Sequence, residues 1–273
     1  MAQKTKTHPV LLILISTLIL ILYYRTFIWL ISEWLTNPYY SHGFLIPFIS
    51  TFIAWLRRKE TAEEGGTFKG AGLILGFGLL LLISGFLYGV DVIAALSFIP
   101  VTIGLLLHLY PNKMHAVLFP ILFLIFAIPL PIEGLGYSLQ IISAKTTASI
   151  VSLLGLHVSR QGAQLSLKSS SFFIGEPCSG MQMLIALLAL AALLAYFMNC
   201  STIKRLAIFV SGMPIAMLSN TLRISSIILV ASFSGTGSAL DLFHPASSIL
   251  LFLFASAILL AIAKLLRCEV MPR

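Results

Sequence analysis

Long apolar blocks alternate with short polar pieces along the whole chain. The first block, about 9–31, follows Lys4 and Lys6 and carries Arg25 late, where a long side chain can snorkel to an interface. The polar-aromatic connection TNPYYSHG at 36–43 precedes a second block at about 44–56, which is short for a span and ends in Arg57-Arg58-Lys59. After a hydrophilic loop at 60–70, blocks at about 71–89 and 92–109 turn at Asp91, and a fifth at about 116–132 ends in the rigid run IPLPIE. The stretch 137–156 is only moderately apolar and holds Ser138, Gln140, Ser143, Lys145, Thr146 and Thr147. It predicts an amphipathic helix on the membrane surface rather than a span. Partial alternation around Gly162 in 157–174 predicts a small β-hairpin or extended lid. Spans resume at about 181–198, then from Leu206 to about Val230 with breaks expected near Pro214 or Asn220, and finally at 247–265.

This pattern predicts an all-α polytopic membrane protein of about eight transmembrane helices, plus an outer-face amphipathic helix and a short β-hairpin or lid. Residues 1–273 read as a single integral membrane domain, with 133–177 as its outer-face amphipathic and lid region. Composition agrees: 59% of residues are hydrophobic and 10% charged, where a soluble domain is about a quarter charged. The first block outruns the h-region of a signal peptide and no A-x-A-like site follows it, which predicts a retained first helix. The net charge of +8 falls in small groups between blocks, a topological signature rather than a nucleic-acid footprint. With the N-terminus in the cytoplasm and eight crossings, 12 of the 17 basic side chains lie inside; Arg25, Lys145, Arg160, Lys168 and Arg223 are in the membrane or outside. Both termini are then cytoplasmic. Reading 137–156 as a span would put Lys204 and Arg205 outside.

That topology gathers chemistry on one face. Gly175-Glu176-Pro177-Cys178-Ser179-Gly180 leads into the apolar run that begins at Met181, so Cys178 stands at a helix N-terminus, where unpaired N–H groups and the helix dipole favour an anion. Arg223 lies 17 residues beyond Leu206, about 26 Å along a helix in a core of roughly 30 Å, and so reaches the outer interface. His244 precedes the last span, again outside. Cysteine, arginine and histidine together suit nucleophilic acyl transfer: a thiolate attacks a carbonyl, histidine carries the proton, and arginine stabilises the oxyanion or orients the substrate. Asn220, three residues before Arg223, shares its helix face and either orients it or donates directly.

Plainer roles compete at each position. A cysteine among small residues is commonly inert packing, an arginine can snorkel, and His244 can merely cap the helix beside Pro245. Glu176 pairs with Arg223, pairs with His244, or charges a helix N-terminus. His42 belongs to the loop or to the substrate mouth, Trp34, Tyr39 and Tyr40 read as interfacial anchors, and Met181 and Met183 as packing. Position decides for Cys178, which has no obvious partner on an oxidising side. Cys200 and Cys268 fall on the other face and read as structural or incidental. The three cysteines have no metal-ligand spacing and suggest no disulfide framework. A solute transporter or an exopolysaccharide-export scaffold would instead line a polar path with Arg223, but neither an internal repeat nor several mid-membrane charges accompany it.

The marks YSHG at 40–43, FPILFLIFAIPLP at 119–131, Pro177-Cys178-Ser179-Gly180, Asn220-Thr221-Leu222-Arg223 and His244 resemble the exosortase/archaeosortase family of integral membrane cysteine transpeptidases, its bacterial branch above all. The resemblance implies Cys178, Arg223 and His244 as catalytic residues, supported by Asn220, Glu176, Ser179 and His42. It implies substrates that are secreted proteins with a C-terminal motif such as Pro-Glu-Pro, a transmembrane helix and a basic cluster. Cleavage near the motif would pass the acyl group to a surface acceptor, often in connection with exopolysaccharide, or to water in a purely hydrolytic variant. It places the protein among the lipids of the bacterial inner membrane with the site facing the periplasm or exterior, and calls for no cofactor, metal or nucleic acid. The chain departs from many bacterial members at Pro177, where they have alanine, and after His244, where HPASS lacks their glycine.

Overall fold

A computed structural model describes residues 9–58, 70–111, 114–167, 171–175, 178–234 and 243–270. The chain forms two compact units, residues 1–131 and 132–273.

In the first unit, α1 (Pro9–Leu22) and α2 (Tyr24–Thr36) meet at Tyr23 with a bend of 64°. The single first span expected over 9–31 is therefore two helices, although neither proline nor glycine stands at the break. The cause is tertiary. Tyr23 is wholly buried, its hydroxyl lies 2.8 Å from Ser97 Oγ, and its ring meets Phe98 edge-on. A short 3-10 turn (Pro38–Tyr40), capped by Asn37 Oδ1 accepting from the Tyr39 N–H, leads to α3 (Leu45–Leu56).

The helices α4 (Ala71–Tyr88) and α5 (Asp91–Leu109) pack closely because glycines line their contact. A Cβ on Gly85 would stand 2.6 Å from the Ala94 nitrogen, and one on Gly104 2.5 Å from the Leu75 nitrogen. Lipid is as apolar as leucine, so membrane helices associate through such small residues; α4 accordingly turns Leu73, Leu80 and Leu87 outward and keeps Gly78, Leu82 and Gly85 inside. The helix α6 (Met114–Phe123) tightens into a 3-10 turn (Leu124–Ala127) before the extended residues 128–131. Trp34 Nε1 donates to the Ala127 carbonyl at 2.7 Å, and Tyr40 Oη accepts from the Leu130 N–H at 3.0 Å. These aromatics are thus internal staples on a prolyl run rather than simple interfacial anchors.

In the second unit, α9 (Thr202–Ser234) packs against α7 (Glu133–Leu153), α8 (Met181–Phe197) and α10 (His244–Leu265). Leu187, Ala191, Ile208, Ile215, Ala255 and Leu259 form the core of the α8, α9 and α10 contact. The break expected at Pro214 or Asn220 is absent: α9 runs unbroken for 33 residues, about 50 Å. Pro214 lies within it with its ring exposed.

The expected hairpin is present as β1 (Ser159–Gln161) and β2 (Gln164–Ser166), antiparallel and turned by Gly162 at φ +60°, and β3 (Ser171–Phe173) adds a third strand. The helix expected over 137–156 exists as α7 and is not among the helices long and apolar enough to span; its polar residues divide between buried and exposed positions. Gln140, Ser143, Ala144, Thr147 and Val151 are buried, while Leu135, Tyr137, Ile142 and Leu153 are exposed. Ser138, Lys145, Thr146, Ser149 and Ser152 are exposed as well, so polar and apolar side chains share the outward side.

Two further findings differ from the sequence reading. Cys200 and Cys268 are joined in a disulfide, brought together where β4 (Met198–Asn199) pairs with β5 (Glu269–Val270). Their separation of 68 residues hides that proximity in the sequence. By length and apolarity, four of the described helices can cross a membrane, or five if the bent pair counts as one span. The helices α3 and α8, of 12 and 17 residues, fall short of the roughly 20 that a perpendicular crossing takes, as does the 116–127 stretch. The protein is a mostly helical membrane protein with small sheets.

Candidate active site

The approach to α8 is fixed by three consecutive residues. Gly180 adopts φ +88°, which ends the loop and starts the helix. Ser179, almost fully buried, accepts the Met181 N–H on its Oγ at 3.2 Å and so satisfies a first-turn donor. The Cys178 N–H donates to the Gly175 carbonyl at 3.0 Å. Cys178 keeps its thiol, is partly exposed, and packs on a cluster that includes Ala144, Ile224 and Ile228.

Asn220 reaches this loop from α9. Fully buried, its Nδ2 donates to the Cys178 carbonyl at 3.0 Å and to Ser143 Oγ at 3.2 Å, and Ser143 Oγ in turn donates to the Ser179 carbonyl at 3.3 Å. A carbonyl only accepts, so the amide's orientation is determined and both its hydrogens are engaged. Asn220 therefore holds the backbone of Cys178. Close approach is possible because residue 180 is glycine: a Cβ there would lie 2.8 Å from Asn220 Cγ and Nδ2.

Arg223 lies one turn beyond Asn220, on the same helix face as expected, and is 6% exposed. Its Nη1 donates to Ser248 Oγ at 3.3 Å. Ser248 stands four residues into α10, on the helix face of His244, the residue with which that helix begins. Cys178, Asn220 and Arg223 are thus linked to Ser248, one turn into α10, by hydrogen bonds and a single helical turn of α9. The side chain of His244 lies outside the described residues, as do Glu176 and Pro177.

His42 belongs to the first unit, in the turn after Tyr40. Its ring stacks on Tyr40 at 6.4 Å, and both ring nitrogens are buried with no hydrogen-bond partner among the described residues. Burial lowers its pKa, so the imidazole is neutral at pH 7. Sequence reasoning overlooked Ser143, one small polar residue among several in α7 with no signal that it faces inward toward Cys178.

The family model for transmembrane exosortases, Exosortase_EpsH, matches residues 34–261, a stretch containing Cys178, Asn220, Arg223 and most of α10. The chain belongs to the transmembrane exosortase family. Exosortases are membrane transpeptidases or proteases, so membership puts this chain in an enzymatic membrane family. No curated protein and no solved structure matches the chain.

Proposed function

We propose that this exosortase is a cysteine transpeptidase that cleaves the C-terminal sorting tails of secreted proteins and transfers the acyl group to a surface acceptor. One observation carries the reading: Asn220, one helical turn before Arg223, pins the backbone of Cys178, and Arg223 is bonded to Ser248, one turn into the helix that begins at His244. A half-buried thiol at a helix entrance, a buried arginine and a histidine are the groups acyl transfer requires.

Cys178 Sγ attacks the carbonyl carbon of the scissile peptide, forming a C–S bond as the carbonyl electron pair moves onto oxygen. Arg223, charged throughout, balances that oxyanion. His244 takes the thiol proton and returns it to the departing amine as the C–N bond breaks. The acceptor attacks the acyl-thioester carbonyl as its own proton passes to His244, and the C–S bond breaks to restore the thiolate. A tail helix held in the bilayer keeps its outer motif near Cys178, which raises its effective concentration. The positive-inside charge pattern supports eight crossings with both termini cytoplasmic, α3 and α8 crossing as short segments, and a site that opens outward at the inner membrane.

Intact-mass analysis of a co-expressed secreted protein bearing a candidate tail tests this reading. Loss of the tail with gain of an acceptor mass is expected from wild type and not from Cys178→Ala or Cys178→Ser at equal membrane insertion. Gain of water alone establishes a hydrolytic protease instead. Unchanged processing in both variants removes Cys178 as nucleophile.

A further inference from the structure

We propose that Ser143 on α7 is a positioning residue for Cys178, setting the thiol's place through the two carbonyls beside it. The proposal rests on the reading of Cys178 as nucleophile only for its consequence in catalysis; the positioning itself is a property of the fold.

The geometry is closed on three sides. Ser143 is 5% exposed and its hydroxyl does two things at once: it donates to the Ser179 carbonyl and accepts from Asn220 Nδ2. The other hydrogen of that same amide goes to the Cys178 carbonyl. Consecutive carbonyls, those of Cys178 and Ser179, are thereby tied to two different helices through one serine oxygen and one amide. With the Cys178 N–H already on the Gly175 carbonyl and Gly180 held at φ +88°, the peptide planes on both sides of Cys178 are fixed. Side-chain direction follows from backbone direction, so the thiol's aim is set from α7 as well as from α9.

Removing the Ser143 hydroxyl has a definite consequence. The Ser179 carbonyl loses its donor, and Asn220 loses the acceptor that holds its amide square to the Cys178 carbonyl. The loop is then free to lift Cys178 from its apolar bed against Ala144 and Ile224. A lifted thiol is easier for a small reagent to reach and worse placed for a substrate carbonyl, so the two rates move in opposite directions. A merely structural hydroxyl would not produce that split.

The same helix supplies the control. Thr146, one turn on from Ser143, also bonds across to α9, its Oγ1 lying 3.0 Å from Thr221 Oγ1, and its other bonds go to the Ile142 and Ser143 carbonyls within α7. Ser143→Ala and Thr146→Ala each remove one hydroxyl contact between α7 and α9. A rescue variant that keeps the hydroxyl is Ser143→Thr, at a position that borders a cavity of about 610 Å³ shared with Lys145, Thr146 and Thr221.

The experiment measures site-resolved alkylation of Cys178 by iodoacetamide in native membranes, by peptide mass, across pH 6–9, alongside tail processing and thermal unfolding. One or two hydrogen bonds correspond to a change of about 2- to 12-fold or more in an equilibrium. Ser143→Ala is expected to raise the alkylation rate at Cys178 about threefold or more and to lower tail processing about tenfold. Ser143→Thr should restore both, and Thr146→Ala should leave alkylation within twofold of wild type. Alkylation unchanged in Ser143→Ala, or raised equally in Thr146→Ala, overturns the proposal. The alkylation reading needs no substrate: if Cys178→Ala leaves tail processing intact, the proposed function falls while alkylation still decides whether Ser143 positions the thiol.

Discussion

Replacing Gly180 by alanine strikes the site at its narrowest point. Two costs follow from the structure. At φ +88° an alanine sits in the left-handed region, which for an L-residue costs about 1–2 kcal/mol. The new Cβ would also stand 2.8 Å from Asn220 Cγ and Nδ2, so the amide must move and its bonds to the Cys178 carbonyl and Ser143 Oγ weaken or break. At about 0.5–1.5 kcal/mol per bond, the second cost is about 1–3 kcal/mol, for a total of about 2–5 kcal/mol. Gly162 provides the comparison: its φ is +60°, yet nothing lies within 4 Å of its added Cβ. Gly162→Ala should therefore show the backbone cost alone. Thermal unfolding in one detergent should place Gly180→Ala below Gly162→Ala by roughly 3–10 °C. Tail processing should fall roughly 5- to 150-fold in Gly180→Ala beyond its fall in Gly162→Ala. Equal unfolding midpoints and equal processing in the two variants would refute the claim that Asn220 and Gly180 are in working contact.

Three other outcomes follow from the same structure. Gly104→Leu, which forces a side chain into the Leu75 backbone 2.5 Å away, should lower the unfolding midpoint far more than Gly72→Leu, whose Cβ meets nothing within 4 Å. For His42, whose pKa is lowered by burial, the unfolded chain binds the proton first; stability should be full above pH 6.5 and decline as pH falls from 6.5 to the folded pKa, and His42→Gln should flatten that decline in thermal unfolding against pH. If β4 and β5 lie on the basic cytoplasmic face, a membrane-impermeant maleimide added to reductant-treated intact cells should label neither Cys200 nor Cys268, while a permeant one labels both; impermeant labelling would reverse the topology.

Much of this architecture is readable from local pattern. Apolar blocks become helices because a backbone in lipid must satisfy its own hydrogen bonds, and alternation around Gly162 becomes a hairpin because glycine supplies the turn. The register that places Asn220 and Arg223 on one buried face needs only the helical repeat. What escapes the sequence depends on distant partners. The bend at Tyr23 is made by Ser97, 74 residues away, and the pairing of Cys200 with Cys268 is made by a ribbon at the chain's far end. Polar residues on a helix suggest water, but in a membrane protein they equally mark a side that faces protein, and α7 carries both kinds. Ser143 was missed for that reason, and with it the second tie on the loop bearing Cys178.

The most direct test of the account is to look for the covalent intermediate. Membranes containing the protein and a tail-bearing substrate would be quenched in acid during turnover, digested, and the peptide containing Cys178 weighed. The account predicts a thioester-linked acyl fragment of the substrate on that peptide, released by neutral hydroxylamine and absent from Cys178→Ala. Efficient tail removal with no such adduct, continuing in Cys178→Ala, would contradict it.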